Sequence, residues 1–150
     1  MPWASEKEYV SAHACYCGKR GCVETWLSGS GLVREFVSRG GPKITAGDIA
    51  NAAESGDERA HQSLAAYKDR LARALAGVVN IVDPDIVVLG GGLSNVAGLY
   101  DDLVERIGAY AFSDGIRTKV VRALHGDSSG VRGAACLWPL QASEARHPQE

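Results

Sequence analysis

The residues best suited to chemistry lie close together near the N-terminus, in Cys15-Tyr16-Cys17-Gly18-Lys19-Arg20-Gly21-Cys22-Val23-Glu24. Three thiols separated by one and then four residues form a knuckle, and the glycines between the second and third allow the tight turns it needs. Thiolates at such spacing suit a tetrahedral metal, zinc above all. Free thiols or a disulfide are the other readings. His13, two residues before Cys15, is a possible fourth ligand, though it would crowd three ligands onto five residues. Glu24 follows where an apolar helical pattern starts. A carboxylate there can stabilise the helix dipole, or accept two sugar hydroxyls in charge-assisted hydrogen bonds. The spacing leaves both open.

A second candidate is Gly90-Gly91-Gly92, which follows the aliphatic run Ile86-Val87-Val88-Leu89. Open α/β sheets bind ligands beyond the carboxyl ends of their strands, where glycines let a ligand approach the backbone. The spacing matches neither G-x-G-x-x-G nor the P-loop, and a plain strand-to-helix turn explains it equally well. Gly126 to Gly130 precedes a further helix whose amide ends could hold an anion, and ordinary capping explains it at least as well. His125 reads as a structural histidine at a strand end rather than a base.

The elements that must position these residues are mostly helices. Met1–Ala12 shows no clear periodicity and reads as an irregular entry. Helical patterns run from Cys22 through Leu27 and, after the interruption at Gly29-Ser30-Gly31, through Val37; Gly40-Gly41-Pro42 stops the second. Thr45 to Asp48 resembles a capping box opening a short helix. The longest helix is predicted over Glu58–Ile81, with Ala60, Leu64, Tyr67, Leu71, Ala74 or Leu75, Val78 and Val82 inward and Lys68, Asp69, Arg70 and Arg73 mainly between them. Asp83-Pro84 ends it. Ile86–Leu89 reads as a strand buried on both faces. An amphipathic helix follows with Leu99, Leu103 and Ile107 inward, then a strand over Lys119–Leu124 and a last helix over Val131–Trp138. The tail 141–150 reads as disordered. The division expected is an entry segment and knuckle over 1–22, an α/β body over 23–140, and the tail.

A chain of 150 residues, 45% hydrophobic and 23% charged with net charge −2, is an ordinary globular domain. The balance gives no reason to propose a nucleic-acid or membrane partner, and a cytoplasmic location is the expectation. Two strands joined as β-α-β should be parallel. A two-stranded parallel sheet is a poor independent fold, so either another chain completes the sheet or this polypeptide is part of a longer one.

Three stretches resemble the ROK family of sugar kinases and sugar-responsive repressors. They are Cys15–Gly29, Asp83–Ser94 and His125–Ala135, and together they look most like the N-acetylglucosamine kinase and fructokinase branch. The resemblance implies the C-terminal lobe of an actin-like, hexokinase-type fold. It further implies a structural zinc on Cys15, Cys17 and Cys22, sugar contacts from Glu24, and the Gly90–Gly92 turn against the adenosine of ATP. Family members transfer the γ-phosphoryl group of Mg-ATP to a hexose such as N-acetylglucosamine or fructose, and commonly dimerise. The family's phosphate loops and its catalytic Asn-Asp pair have no counterpart here, so the chain alone is expected to lack kinase activity. A histidine upstream usually supplies the fourth zinc ligand, which would make His13 a bystander. The alternatives are the sugar-sensing part of a ROK repressor, or a zinc-stabilised interaction domain without catalysis.

Overall fold

The computed structural model describes residues 2, 4–113 and 115–137; the predicted tail 141–150 lies outside them. In chain order the elements are α1 (Glu6–Val10), α2 (Val23–Leu27), α3 (Gly29–Ser38), α4 (Ala46–Glu54), α5 (Glu58–Val82), β1 (Ile86–Leu89), α6 (Leu103–Gly108), β2 (Lys119–Arg122) and α7 (Ser129–Cys136). Short 3-10 turns cover Gly92–Asn95 and Gly126–Ser128. The core is built on α5: Tyr67, Leu71, Ala76 and Val79 face Leu32 and Phe36 of α3, Ile49 of α4, and Leu103 and Ile107 of α6. β1 and β2 pair in parallel, Ile86 opposite Lys119 through Leu89 opposite Arg122, as the β-α-β order requires.

Local chemistry explains the boundaries. Thr45 and Asp48 form the expected capping box at α4. Ser28 caps α3 by accepting from the Gly31 amide, so Gly29–Gly31 form the first turn of that helix rather than an interruption. Asp57 caps α5, and Asp83 ends it in the left-handed region at φ 43°, where aspartate is among the few side chains tolerated. The helix after the glycine turn is shorter than its apolar spacing suggests: Leu99 is buried, but from a turn that precedes α6.

Three further expectations need correction. First, the entry segment contains a helix, α1, opened by a capping box between Ser5 and Glu8. Second, β1 is not buried on both faces: Ile86 and Val88 are more than half exposed, while the alternate residues face inward. Among the described residues the burial of β1 alternates between exposed and half-buried, as in a strand covered on one face. Third, the inward face of α5 keeps Ala60, Tyr67 and Leu71 but takes in two of its charged residues and loses two valines. Val78 and Val82 are exposed, whereas Arg70 and Arg73 are 9% and 6% exposed.

The reason is Glu8, itself 8% exposed. Its Oε1 accepts from Arg70 Nε at 2.6 Å, and Arg73 reaches it with both terminal nitrogens at 2.8 Å. Arg70 also donates to Glu35 of α3 at 2.9 Å. Hydrogen bonds from Arg73, then from Arg70 and the Ser5 amide, hold the Glu8 carboxyl well below the usual carboxylate range despite the opposing effect of burial.

A carboxyl with a depressed folded-state pKa adds stability above its unfolded value of about 4.3 and loses that stability as pH falls. Glu8→Gln, which removes the buried carboxylate shared by two guanidiniums and leaves Arg70 with Glu35 and Arg73 with Asp69, is expected to cost about 3 kcal/mol at pH 7. Urea melts of both proteins at several pH values check this: the gap should narrow progressively below about pH 4.

Candidate functional site: a thiol knuckle and a glycine turn joined by short helices

The knuckle is a small folded-back loop. Ala14 and Arg20 form an antiparallel bridge, the Cys15 amide donates to the Lys19 carbonyl at 2.8 Å, and the Gly21 amide to the His13 carbonyl at 2.9 Å. Gly21 has φ 67°, and a Cβ there would stand 3.2 Å from that of Ala12, so the return strand needs glycine. The loop gathers Cys15, Cys17 and Cys22 with their sulfurs all within 4.8 Å of one another, and Cys17 and Cys22 are 3.5 Å apart. Zinc–sulfur bonds of about 2.3 Å in a tetrahedron separate sulfurs by about 3.8 Å, so three thiolates fit such an ion with small adjustment. Cys17 and Cys15 push the Cys22 thiol up to about 11, while the Lys19 amide lowers Cys17.

The predicted site residues divide clearly. The three cysteines are together. His13 is not with them: its ring lies against Trp26, centroid to centroid 5.6 Å. Cys22 is the N-cap of α2, with no capping bond from its side chain, which leaves its sulfur directed to the knuckle. Glu24 is exposed in the first turn of α2, two residues from the thiol cluster.

Gly90, Gly91 and Gly92 line a cavity of about 290 Å³ whose opposite wall is Leu27, Ser28 and Gly29, with Tyr67 and Leu71 of α5 beneath. Gly91 has φ 82°, and its amide donates to the Gly126 carbonyl at 3.4 Å, so the first glycine loop is tied to the second. Tyr67 donates to the Leu27 carbonyl at 3.3 Å, and burial pushes its hydroxyl up to about 12. The short helix α2 therefore carries the knuckle and Glu24 at its start, and its end meets the glycine turn. His125 is exposed beside that turn.

Sequence reasoning missed what holds α2. Arg70 lies over the Trp26 ring, Cζ 4.6 Å from the centroid, and Arg34 donates to the Thr25 carbonyl at 2.9 Å. Local patterns gave only part of the signal: Ser5-x-x-Glu8 is a capping-box pattern that marks α1, and Arg70 and Arg73, three apart, share a helix face, but neither pattern points to α2.

This is an α/β unit of helices around a small parallel sheet, with a thiol knuckle leading into a glycine-lined cavity. The ROK family model matches residues 7–141, and the chain belongs to the ROK family. It is similar to the N-acetyl-D-glucosamine kinase of Salmonella typhi, 40% identical over 123 residues, which are 82% of this chain and 41% of that protein. Among solved structures, a ROK family glucokinase from Streptomyces griseus in complex with glucose and AMPPNP superposes with a TM-score of 0.73. It is 28% identical, and the match covers 83% of this chain and 46% of that one. A ROK family transcriptional regulator, a homologue of the E. coli MLC protein, shares the fold at TM-score 0.66 and 23% identity, over 81% of this chain and 33% of its own. The chain thus spans less than half the length of each of these relatives.

Metal titration tests the knuckle. One ion per chain is expected, with affinity falling as the pH drops from 8 to 6 because the thiols must lose protons. Cys17→Ser or Cys22→Ser should weaken binding by about 100-fold or more, and His13→Ala should leave it within about threefold. Cobalt(II) absorption in the thiolate-to-metal region reads all three.

Proposed function

We propose that this chain is the C-terminal α/β lobe of a ROK sugar kinase that transfers the γ-phosphoryl group of Mg-ATP to a hexose, N-acetylglucosamine or a close relative. The observation that carries the reading is the shared placement of its two candidate sites. The helix that starts at the thiol knuckle with Glu24 ends on the cavity lined by Gly90–Gly92, so a sugar contact and a nucleotide contact stand at the two ends of one short element. In this reading Cys15, Cys17 and Cys22 hold a structural zinc that fixes the start of α2. Glu24 accepts hydrogen bonds from sugar hydroxyls, and the glycine turn lies against the adenosine part of the nucleotide. Zinc supplies rigidity there; the phosphoryl chemistry belongs to residues outside this chain.

The kinase relative supports the reading by its 40% identity over most of this chain, and the glucokinase by a TM-score of 0.73. Ile86 and Val88 on the uncovered face of β1, with Ile81 and Val82 at the end of α5, offer the apolar surface on which further ROK-fold strands or a second subunit would pack. No described helix is long and apolar enough to cross a membrane, and a cytoplasmic location accords with a sugar kinase. The sugar-sensing part of a ROK repressor is the second reading, favoured by the regulator's shared fold; it requires hexose binding without ATP.

A chimaera tests the assignment: the Salmonella typhi kinase with its matched segment replaced by this chain. ATP-dependent phosphorylation of N-acetylglucosamine is expected. Glu24→Gln should lower kcat/KM for the sugar by about 100-fold, the loss expected for a charge-assisted pair of hydrogen bonds. A folded, metal-loaded chimaera that binds hexose but transfers no phosphoryl group would favour the sensor reading instead.

A further inference from the structure

The thiol knuckle has a property that metal binding alone does not use. Cys17 and Cys22 hold their sulfurs 3.5 Å apart. A disulfide needs about 2 Å, so the pair lies only about 1.5 Å from bonding distance. The loop that joins them is Gly18-Lys19-Arg20-Gly21. Gly18 and Gly21 stand at φ 83° and 67°, and a Cβ built at Gly18 would meet nothing within 4 Å. Backbone rotation at Gly18 can therefore close the gap without striking another group. Cys17 is exposed and Cys22 is half-buried, so a solute reaches Cys17 first and finds a second thiol beside it.

The other thiols behave differently. Cys15 lies within 4.8 Å of both, but a Cys15–Cys17 disulfide would close over a single residue, a tight ring that ordinary disulfide geometry disfavours. Cys136 is exposed on α7 and is not part of the cluster. Among the described residues no histidine or carboxylate joins the three sulfurs, and the His13 ring lies against Trp26 instead. Structural zinc sites are closed by four ligands. Three thiols with one exposed member leave a face open, and accessible thiols beside a resolving partner are those that oxidise reversibly.

We propose that Cys17 and Cys22 form a reversible dithiol–disulfide couple that hydroperoxides close, and that closing it discharges a metal held by the knuckle. The Cys17 sulfur attacks one oxygen of the peroxide. The O–O bond breaks, Cys17 becomes a sulfenic acid, and the second oxygen leaves with the thiol proton as water or an alcohol. The Cys22 sulfur then attacks the Cys17 sulfur; the S–S bond forms, the S–O bond breaks, and the hydroxyl leaves with the Cys22 proton as water. Two electrons have passed from the thiols to the peroxide. Cys15 is then the one thiol left, too few to hold the ion. Because Cys22 is also the N-cap of α2, the exchange acts at the start of that helix. Discharge rests on the metal reading of the knuckle; disulfide formation does not, and neither depends on the kinase reading.

The test treats the dilute chain, metal-free and zinc-loaded, with one equivalent of hydrogen peroxide, then alkylates it and maps its tryptic peptides by mass spectrometry. Trypsin cuts after Lys19 and Arg20, so a Cys17–Cys22 disulfide joins two peptides, whereas a Cys15–Cys17 disulfide stays within one. The metal-free arm should give the joined pair with the alkyl group on Cys15, and dithiothreitol should undo it. The zinc-loaded arm should lose one zinc per disulfide, read with a chromogenic chelator, and regain it after reduction. Cys15→Ser should keep the cross-link. Cys22→Ser should abolish it and leave a Cys17 sulfenic acid that a 1,3-dione probe traps. Cys17 should be consumed about tenfold faster than Cys136, as expected for an exposed thiol with a resolving partner. Oxidation to sulfinic acid without a cross-link, a disulfide carried by Cys15, or equal consumption of Cys17 and Cys136 overturns the couple. Zinc that stays bound, or leaves without a disulfide, overturns the discharge.

Discussion

The arrangement depends first on one buried carboxylate. Glu8 sits between Arg70 and Arg73, and Arg70 in turn lies over Trp26 and reaches Glu35. Through these contacts α1, on the N-terminal side of the knuckle, and α2, on its C-terminal side, are both fastened to α5, the longest element and the spine of the core. A buried charge cluster of this kind is costly to desolvate, and its net contribution to stability is often small. What it provides is geometry: Glu8, Arg70 and Arg73 satisfy one another only if α1 packs against one place on α5.

The consequence is felt at α2. A helix of five residues has no stability of its own, because nucleation fixes several residues for very few hydrogen bonds. This one is held from outside at each point. Cys22 anchors its start in the thiol cluster, Arg34 ties the Thr25 carbonyl, Arg70 covers Trp26, and Tyr67 ties the Leu27 carbonyl. A metal on the three sulfurs would add the last constraint, at the end of the helix that carries Glu24. The glycine turn is fixed separately, by β1 and by the bond from Gly91 to Gly126. The two candidate contacts are thus set by different parts of the fold and meet where α2 passes into α3.

Much of this was legible in the sequence. The cysteine spacing, the Thr45 cap, the start of α5 at Glu58 and the parallel pairing of two aliphatic runs follow from local chemistry, and the structure agrees with each. What was not legible needed partners distant in sequence. Glu8 and Arg70 are 62 residues apart, so nothing local marks either as buried, and hydropathy alone left Arg70 and Arg73 off the buried face of α5. The same is true of β1: four aliphatic residues look like a strand covered on both sides, and only the number of layers packed on it shows that Ile86 and Val88 face outward. His13 is a similar case. Spacing placed it with the thiols, but the packing of Trp26 beside it turned the ring elsewhere.

In the proposed reading, a metal held by the knuckle would position Glu24 for a sugar. The most direct measurement is the pair of KM values of the chimaeric kinase, for hexose and for ATP, before and after chelation and again after zinc is restored. Metal removal should raise KM for the hexose by about tenfold or more, consistent with loss of a charge-assisted contact, leave KM for ATP nearly unchanged, and be reversed by zinc. Equal changes in both constants, or no change in either from a protein shown to have lost its metal, would contradict it.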